Sequence, residues 1–155
     1  MRVWLVVLGT VLALFAGTEK PDFSGRWKLN VEKSDFGGAP GPTSLTSRIE
    51  HRGPELKVHS EIAGPQGQYA TDYKWFTDGR ENVNTVRGNE IHATVVWEGA
   101  ALKATSTTEA NGTKLTLVDQ WSLSQDGQVL KIERIIQAPR GNVRQIYLYD
   151  KMAGL

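Results

Sequence analysis

The sequence predicts an all-β domain, an antiparallel up-and-down meander of about ten strands closed into a barrel, with a two-sheet β-sandwich as the alternative. Two observations carry the class and a third the closure. From Phe23 onward no stretch of about 12 residues repeats apolar side chains with the 3.6-residue helical period. Instead, runs of about 7 to 10 residues alternate and are punctuated by Gly, Pro, Asn and Asp. The third is that the hairpin registers drawn from the turns agree on which side chains share a face.

The alternation places strands at 23–30, 44–51, 56–62, 68–76, 80–86, 91–97, 102–109, 114–124, 129–138 and 143–151. Between them stand Arg52-Gly53-Pro54-Glu55, Asp78-Gly79, Asn111-Gly112, Asp126-Gly127 and Gly141-Asn142, several being the dipeptides of tight hairpins. The one long connection, Val31 to Pro42, is too rich in Gly and Pro for a helix and is expected as an ordered or mobile loop. Opposed residues of an antiparallel pair share a face. The second and third strands therefore pair Leu45 with Ile62 and Ile49 with Val58, while Glu50 meets Lys57 on the other side. Turning at Asn111-Gly112 pairs Leu102 with Trp121 and Ala104 with Asp119; turning at Asp126-Gly127 pairs Trp121 with Ile132 and Asp119 with Arg134. Either turn considered before the last strand brings Gln145, Tyr147 and Tyr149 onto that same face, with Tyr147 or Tyr149 opposite Arg134. This face also collects Trp27, Leu29, Tyr69, Tyr73, Trp75, Val95 and Trp97 and is expected to be the interior. Small or polar inward positions, Ser47, Ser60, Thr71, Ala93, Ala104 and Ser106, leave room for a cavity.

Composition removes several functions. Eighteen Lys and Arg against 17 Asp and Glu give a formal charge of +1, so no net field draws the chain to nucleic acid. Without cysteine there is no disulfide scaffold, thiolate zinc site or thiol nucleophile. His51, His59 and His92 are not spaced as metal ligands, and no phosphate-cradling loop or catalytic serine motif occurs, so neither a metal, a cofactor nor a catalytic set is expected. Residues 1–18 follow a signal-peptide layout: Arg2, an apolar run from Val3 to Phe15, then Ala16-Gly17-Thr18. That run is shorter than the roughly 20 residues of a membrane-spanning helix, and no second one follows. A secreted or periplasmic domain spanning 19–155 is expected after its removal.

Phe23-Ser24-Gly25-Arg26-Trp27-Lys28-Leu29 opens the first strand, and Gly25-x-Trp27 ahead of an antiparallel meander resembles the calycins, the lipocalins, fatty-acid-binding proteins and avidins. Tyr149-Asp150-Lys151 looks like the Tyr-Glu-Lys that closes fatty-acid-binding proteins. The run Phe23 to Gly37 further resembles uncharacterised secreted bacterial proteins described as lipocalin-like. The resemblance implies a barrel that holds a small ligand, with Trp27 closing one end beneath Lys151 or Arg144. Two departures limit it. Val31 to Pro42 cannot form the helical lid of fatty-acid-binding proteins, and their carboxylate-gripping Arg-x-Tyr is here Tyr147-x-Tyr149.

The expected function is therefore binding of a small apolar or amphipathic molecule. Tyr69, Tyr73, Trp75, Trp97 and Trp121 are expected to line its pocket, and Asp119, Arg134, Tyr147 and Tyr149 to orient it. The guanidinium of Arg134 could grip an anionic head, but Asp119 already offers it a carboxylate, which favours a neutral or weakly polar ligand. Two alternatives stand beside this. Val118, Ile135, Ile146 and Leu148 form an apolar row on the opposite face, which suits a second copy or an envelope partner. Isomerase or cyclase chemistry, as the resemblance allows, would use Asp119 as base and Tyr147 as acid.

Overall fold

The computed structural model describes residues 19–154, so the segment 1–18, expected to be a signal peptide, lies outside the described residues. Ten strands follow in chain order: β1 (Gly25–Leu29), β2 (Ser44–Arg52), β3 (Glu55–Gly64), β4 (Gly67–Phe76), β5 (Glu81–Val86), β6 (Asn89–Glu98), β7 (Ala101–Ala110), β8 (Thr113–Leu123), β9 (Val129–Ala138) and β10 (Gly141–Lys151). They form one antiparallel sheet in the order β4-β3-β2-β1-β10-β9-β8-β7-β6-β5, which curls into a nearly closed barrel. The sandwich alternative is thereby set aside. Chain neighbours pair everywhere except between β4 and β5, and the first and last strands meet through Trp27 opposite Lys151 and Leu29 opposite Tyr149.

The turn chemistry explains the hairpins. Asn111 and Gly112 both take left-handed backbone, φ +51° and +73°, the pair a type I′ turn requires. The pairs Leu45 with Ile62, Leu102 with Trp121 and Asp119 with Arg134 are present as expected. The last hairpin differs. It turns at Pro139-Arg140, with Ala138 opposite Gly141, and so places Gln145 rather than a tyrosine opposite Arg134. Pro139 presets the first turn position, and Gly141, at φ +130°, closes the turn in a conformation that a side chain would strain.

The barrel has two unlike ends. At one, Phe23 folds back under the strands, fully buried, and stacks on Trp97 and His51 with ring centroids 6.0 and 5.9 Å away. Its ring meets Trp121 edge to face at 5.8 Å, and its carbonyl accepts the Trp27 Nε1 hydrogen at 3.0 Å. Lys151 Nζ lies 5.3 Å from the Trp27 ring, whereas Arg144 donates to Glu133 instead, so the basic partner of Trp27 is the lysine. At the other end the 31–42 segment runs beside β10. Asp35 and Ile146 exchange backbone hydrogen bonds of 2.8 and 2.7 Å, and Phe36 packs on Tyr147. The Gly- and Pro-rich connection is thus an ordered strap in the plane of the wall.

Between β4 and β5 there is no backbone ladder; side chains replace it. Asn82 Oδ1 accepts the Phe76 amide at 2.7 Å and its Nδ2 donates to the Phe76 carbonyl at 3.2 Å. Asn84 treats Lys74 the same way, with both bonds 2.9 Å. Each asparagine carries one donor group and one acceptor and so imitates a peptide unit, satisfying an edge that would otherwise expose open backbone groups. Asn82→Ala is expected to cost about 1–3 kcal/mol, because it orphans the part-buried Phe76 amide and carbonyl. Hydrogen exchange checks this: the Phe76 amide should lose protection while amides of β7 and β8 keep theirs, and unchanged Phe76 protection would contradict the account.

Candidate functional site

Above the aromatic floor lies a cavity of about 440 Å³. Its existence follows from the layering of the wall formed by β2, β3 and β4. Nearest the mouth, Leu45, Ile62 and Tyr69 face inward in register; below them come Ser47, Ser60 and Thr71, then Ile49, Val58 and Tyr73, and at the floor His51, Leu56 and Trp75. The Ser-Ser-Thr layer is one of small side chains between large ones, so the barrel cannot fill there. Ser47 and Ser60 bond each other at 2.7 Å, which makes that layer tolerable without a ligand. Leu130, Ile132, Trp121, Tyr147, Tyr149 and Arg134 complete the wall from β8, β9 and β10. The mouth is framed by Pro40-Gly41-Pro42, the turn Gly64-Pro65-Gln66, and Val86 with Arg87.

The structure brings six of the nine expected site residues to this cavity: Tyr69, Tyr73, Trp121, Arg134, Tyr147 and Tyr149. The other three lie elsewhere. Trp75 is 6% exposed and packs on Tyr73 and Trp121 in the floor. Trp97 belongs to the closed end, where its Nε1 donates to Thr77 Oγ1 at 3.3 Å and its ring faces a separate surface hollow beside Lys20 and His51. Asp119 sits behind Arg134 in the wall, 5% exposed. Strand parity placed these residues on the inner face, but parity carries no information about height along the barrel axis.

Arg134 Nε and Nη2 each donate to one Asp119 oxygen at 2.7 Å. Desolvation would lower the guanidinium pKa, but the adjacent carboxylate charge and these two bonds outweigh it and push the pKa up. The pair is thus a fixed, mutually neutralising unit. Tyr147 does not oppose Arg134 across the ladder; it lies over it, with the guanidinium carbon 5.4 Å from its ring centre, and its hydroxyl donates to Gln145 Oε1 at 2.9 Å. Gln145 in turn donates to the Phe36 carbonyl at 2.9 Å and ties the strap to this cluster. A carboxylate with both oxygens held by one guanidinium and no face on the cavity is poorly placed to act as a base. Tyr73 and Tyr149 are different. Their hydroxyls hold no hydrogen bond among the described residues, and burial foremost pushes both pKa values up, so they present neutral O–H groups. Trp121 Nε1, fully shielded, likewise has no acceptor among the described residues.

Two features escaped the sequence reading. His51 is a floor residue whose Nδ1 accepts the Phe23 amide hydrogen at 3.3 Å, and Arg87 stands in the mouth. The outward row of Val118, Ile135, Ile146 and Leu148 is half-buried on the outer wall, beside Glu133 and Arg144. His59 and His92 face outward against Asp72, and against Glu81 and Glu90.

The histidines imply a pH dependence with two opposed parts. Burial pushes the His51 pKa below the ordinary imidazole value, against the pull of Asp22 at 3.8 Å, so its contribution is present above about pH 6.5 and lost as pH falls. Hydrogen bonds that the His92 ring donates to Glu81 and Glu90 push its pKa up, so its contribution is present below about pH 6.5 and lost as pH rises. Between pH 7.5 and 5 the melting temperature of His92→Gln is expected to fall more steeply on acidification than that of the wild type, and that of His51→Gln less steeply. Identical slopes in all three would contradict this assignment.

The chain matches no protein-family model and has no significant match among curated proteins. Solved structures do resemble it. A secretory abundant heat soluble protein from Ramazzottius varieornatus superposes with a TM-score of 0.62 at 18% identity, over 83% of this chain and 94% of the other. The zebrafish ileal bile acid-binding protein complexed with cholic acid gives 0.60 at 18% identity, over 84% and 98%. A Schistosoma mansoni fatty acid binding protein in complex with arachidonic acid gives 0.52 at 16%, over 84% and 96%. The fold is therefore that of the calycin-like barrels, in the ten-stranded form.

Proposed function

We propose that this chain is a secreted small-molecule-binding protein that holds a largely apolar ligand in the barrel cavity. One observation carries the reading: a space of about 440 Å³, inside the usual range of ligand sites, walled by aliphatic and aromatic side chains and provided with uncommitted Tyr73 and Tyr149 hydroxyls. A barrel evolved only for stability would fill this layer, since an unfilled void of such size forfeits packing. The neighbours whose structures are complexed with cholic acid and with arachidonic acid support the reading. The signal-like segment 1–18 supports secretion or a periplasmic location.

Native mass spectrometry of protein purified gently from its own host, followed by organic extraction, tests the proposal. The expected result is a copurified small molecule that is lost when Trp121 is replaced by alanine in a variant that remains folded. A clean apo mass, together with failure to take up any apolar probe, would refute it.

A further inference from the structure

The cavity of the proposed carrier is asymmetric in charge. Its lining includes two arginines and no carboxylate. The inner one, Arg134, is already neutralised by Asp119 through two bonds of 2.7 Å. Bringing an anionic ligand group to it would assemble two carboxylates around one guanidinium deep in the barrel, which both desolvation and like-charge repulsion oppose. The outer one, Arg87, has no acidic partner among the described residues. Its guanidinium carbon lies 4.2 Å from the Tyr69 ring centre, and its Nη1 donates to Gln66 Oε1 at 2.8 Å, so neutral partners hold it over the mouth and leave its charge uncompensated. The Gln66 Nε2 group, with no acceptor among the described residues, adds a further donor there. Arg87 also takes φ +52° in the Arg87-Gly88 turn, a backbone position usually given to Gly, Asn or Asp. An arginine kept at such a position is more readily understood from what its side chain does than from the turn itself.

From this we infer that the ligand is an anionic amphiphile bound tail-inward, its apolar chain reaching toward Trp121 and its acidic head held at the mouth by Arg87. The inference rests on the carrier reading and adds the charge and direction of the ligand. A head at the mouth keeps part of its hydration, so the ion pair forms without the burial penalty that Arg134 would impose. The uncommitted Tyr73 and Tyr149 hydroxyls would then meet the ligand below its head, where they suit a neutral acceptor.

Dodecanoate and dodecanol are the probes, because they share a tail and differ in the head. Dodecanoate is expected to bind about five- to tenfold more tightly than dodecanol, a preference that shrinks as salt is raised. Arg87→Gln should erase the preference without weakening dodecanol, and Arg87→Lys should keep most of it, since a point charge suffices. Direction is read from tryptophan quenching. Trp75 and Trp121 pack on each other at the floor with ring centroids 5.5 Å apart, so 12-bromododecanoate should quench strongly and 2-bromododecanoate weakly. Stronger quenching by the 2-bromo acid would overturn the orientation. Equal affinity for acid and alcohol, or a preference unchanged in Arg87→Gln, would overturn the role of Arg87 while leaving the carrier reading intact. If neither probe bound at all, both readings would fall together.

Discussion

Replacing Asp119 with alanine is expected to cost about 3–5 kcal/mol in a urea titration, enough to consume much of the stability of a domain this size. The reason is what the substitution leaves behind. Arg134 cannot shed its proton, and its Nε and Nη2 would lose the Asp119 oxygens they donate to while most of the side chain stays covered by Tyr147, Ile132 and the cavity wall. The pair as a whole is another matter. Exchanging both members for apolar residues of similar volume, as in Asp119→Leu with Arg134→Met, removes the charges together with their desolvation cost and should restore most of the loss. The double variant therefore separates the value of the pair from the damage of half a pair. If Asp119→Ala proved neutral, water from the cavity would have to be solvating Arg134 in place of the carboxylate, which would contradict this account.

A comparable loss, about 3–5 kcal/mol, is expected for Phe23→Ala. Phe23 is 0% exposed and touches Trp97, His51 and Trp121 at once, so truncation opens a hole that none of those rings can close without leaving its own stack. Its backbone bonds to Trp27 and His51 survive the substitution, which confines the effect to the ring. Phe36→Ala at the opposite end should cost less, because that ring is only half-buried and meets a single aromatic partner, Tyr147. Chemical denaturation with tryptophan emission as the signal reads both. Equal costs at the two ends would mean that the closed end is no better packed than the mouth.

The wall could be read from the sequence wherever opposed residues had to agree. Glu50 with Lys57, Leu45 with Ile62 and Trp121 with Ile132 each fix a register, because a slip of one residue would turn apolar side chains outward. The last hairpin could not be fixed this way. Gly141-Asn142 looks like a turn, but Pro139 occupies the first turn position more cheaply, and both choices keep the same parity of faces. The price was the identity of the residue beside Arg134. Height was illegible for a different reason. Trp75 and Trp97 point inward as alternation requires, yet only the stagger of strands around a closed barrel decides that they form its floor. The β4 to β5 seam did leave a trace, since Asn82 and Asn84 are poor strand formers two positions apart, and that choice makes sense only when their amides serve as backbone.

The way the barrel closes bears on how it folds. Eight of its nine strand pairings join chain neighbours, and those hairpins can form locally and early. The β1 to β10 contact is the exception, its Asn30 to Asp150 bond linking residues 120 positions apart. A ribosome or an export channel delivers the N-terminal partner first, so β1 must wait, one edge open, until nearly the whole chain has emerged. Phe23 and Trp27 remain uncovered for the same interval. This topology therefore has a long-lived sticky end during synthesis, and chaperone dependence should concentrate on residues 23–29 rather than on the hairpins that follow.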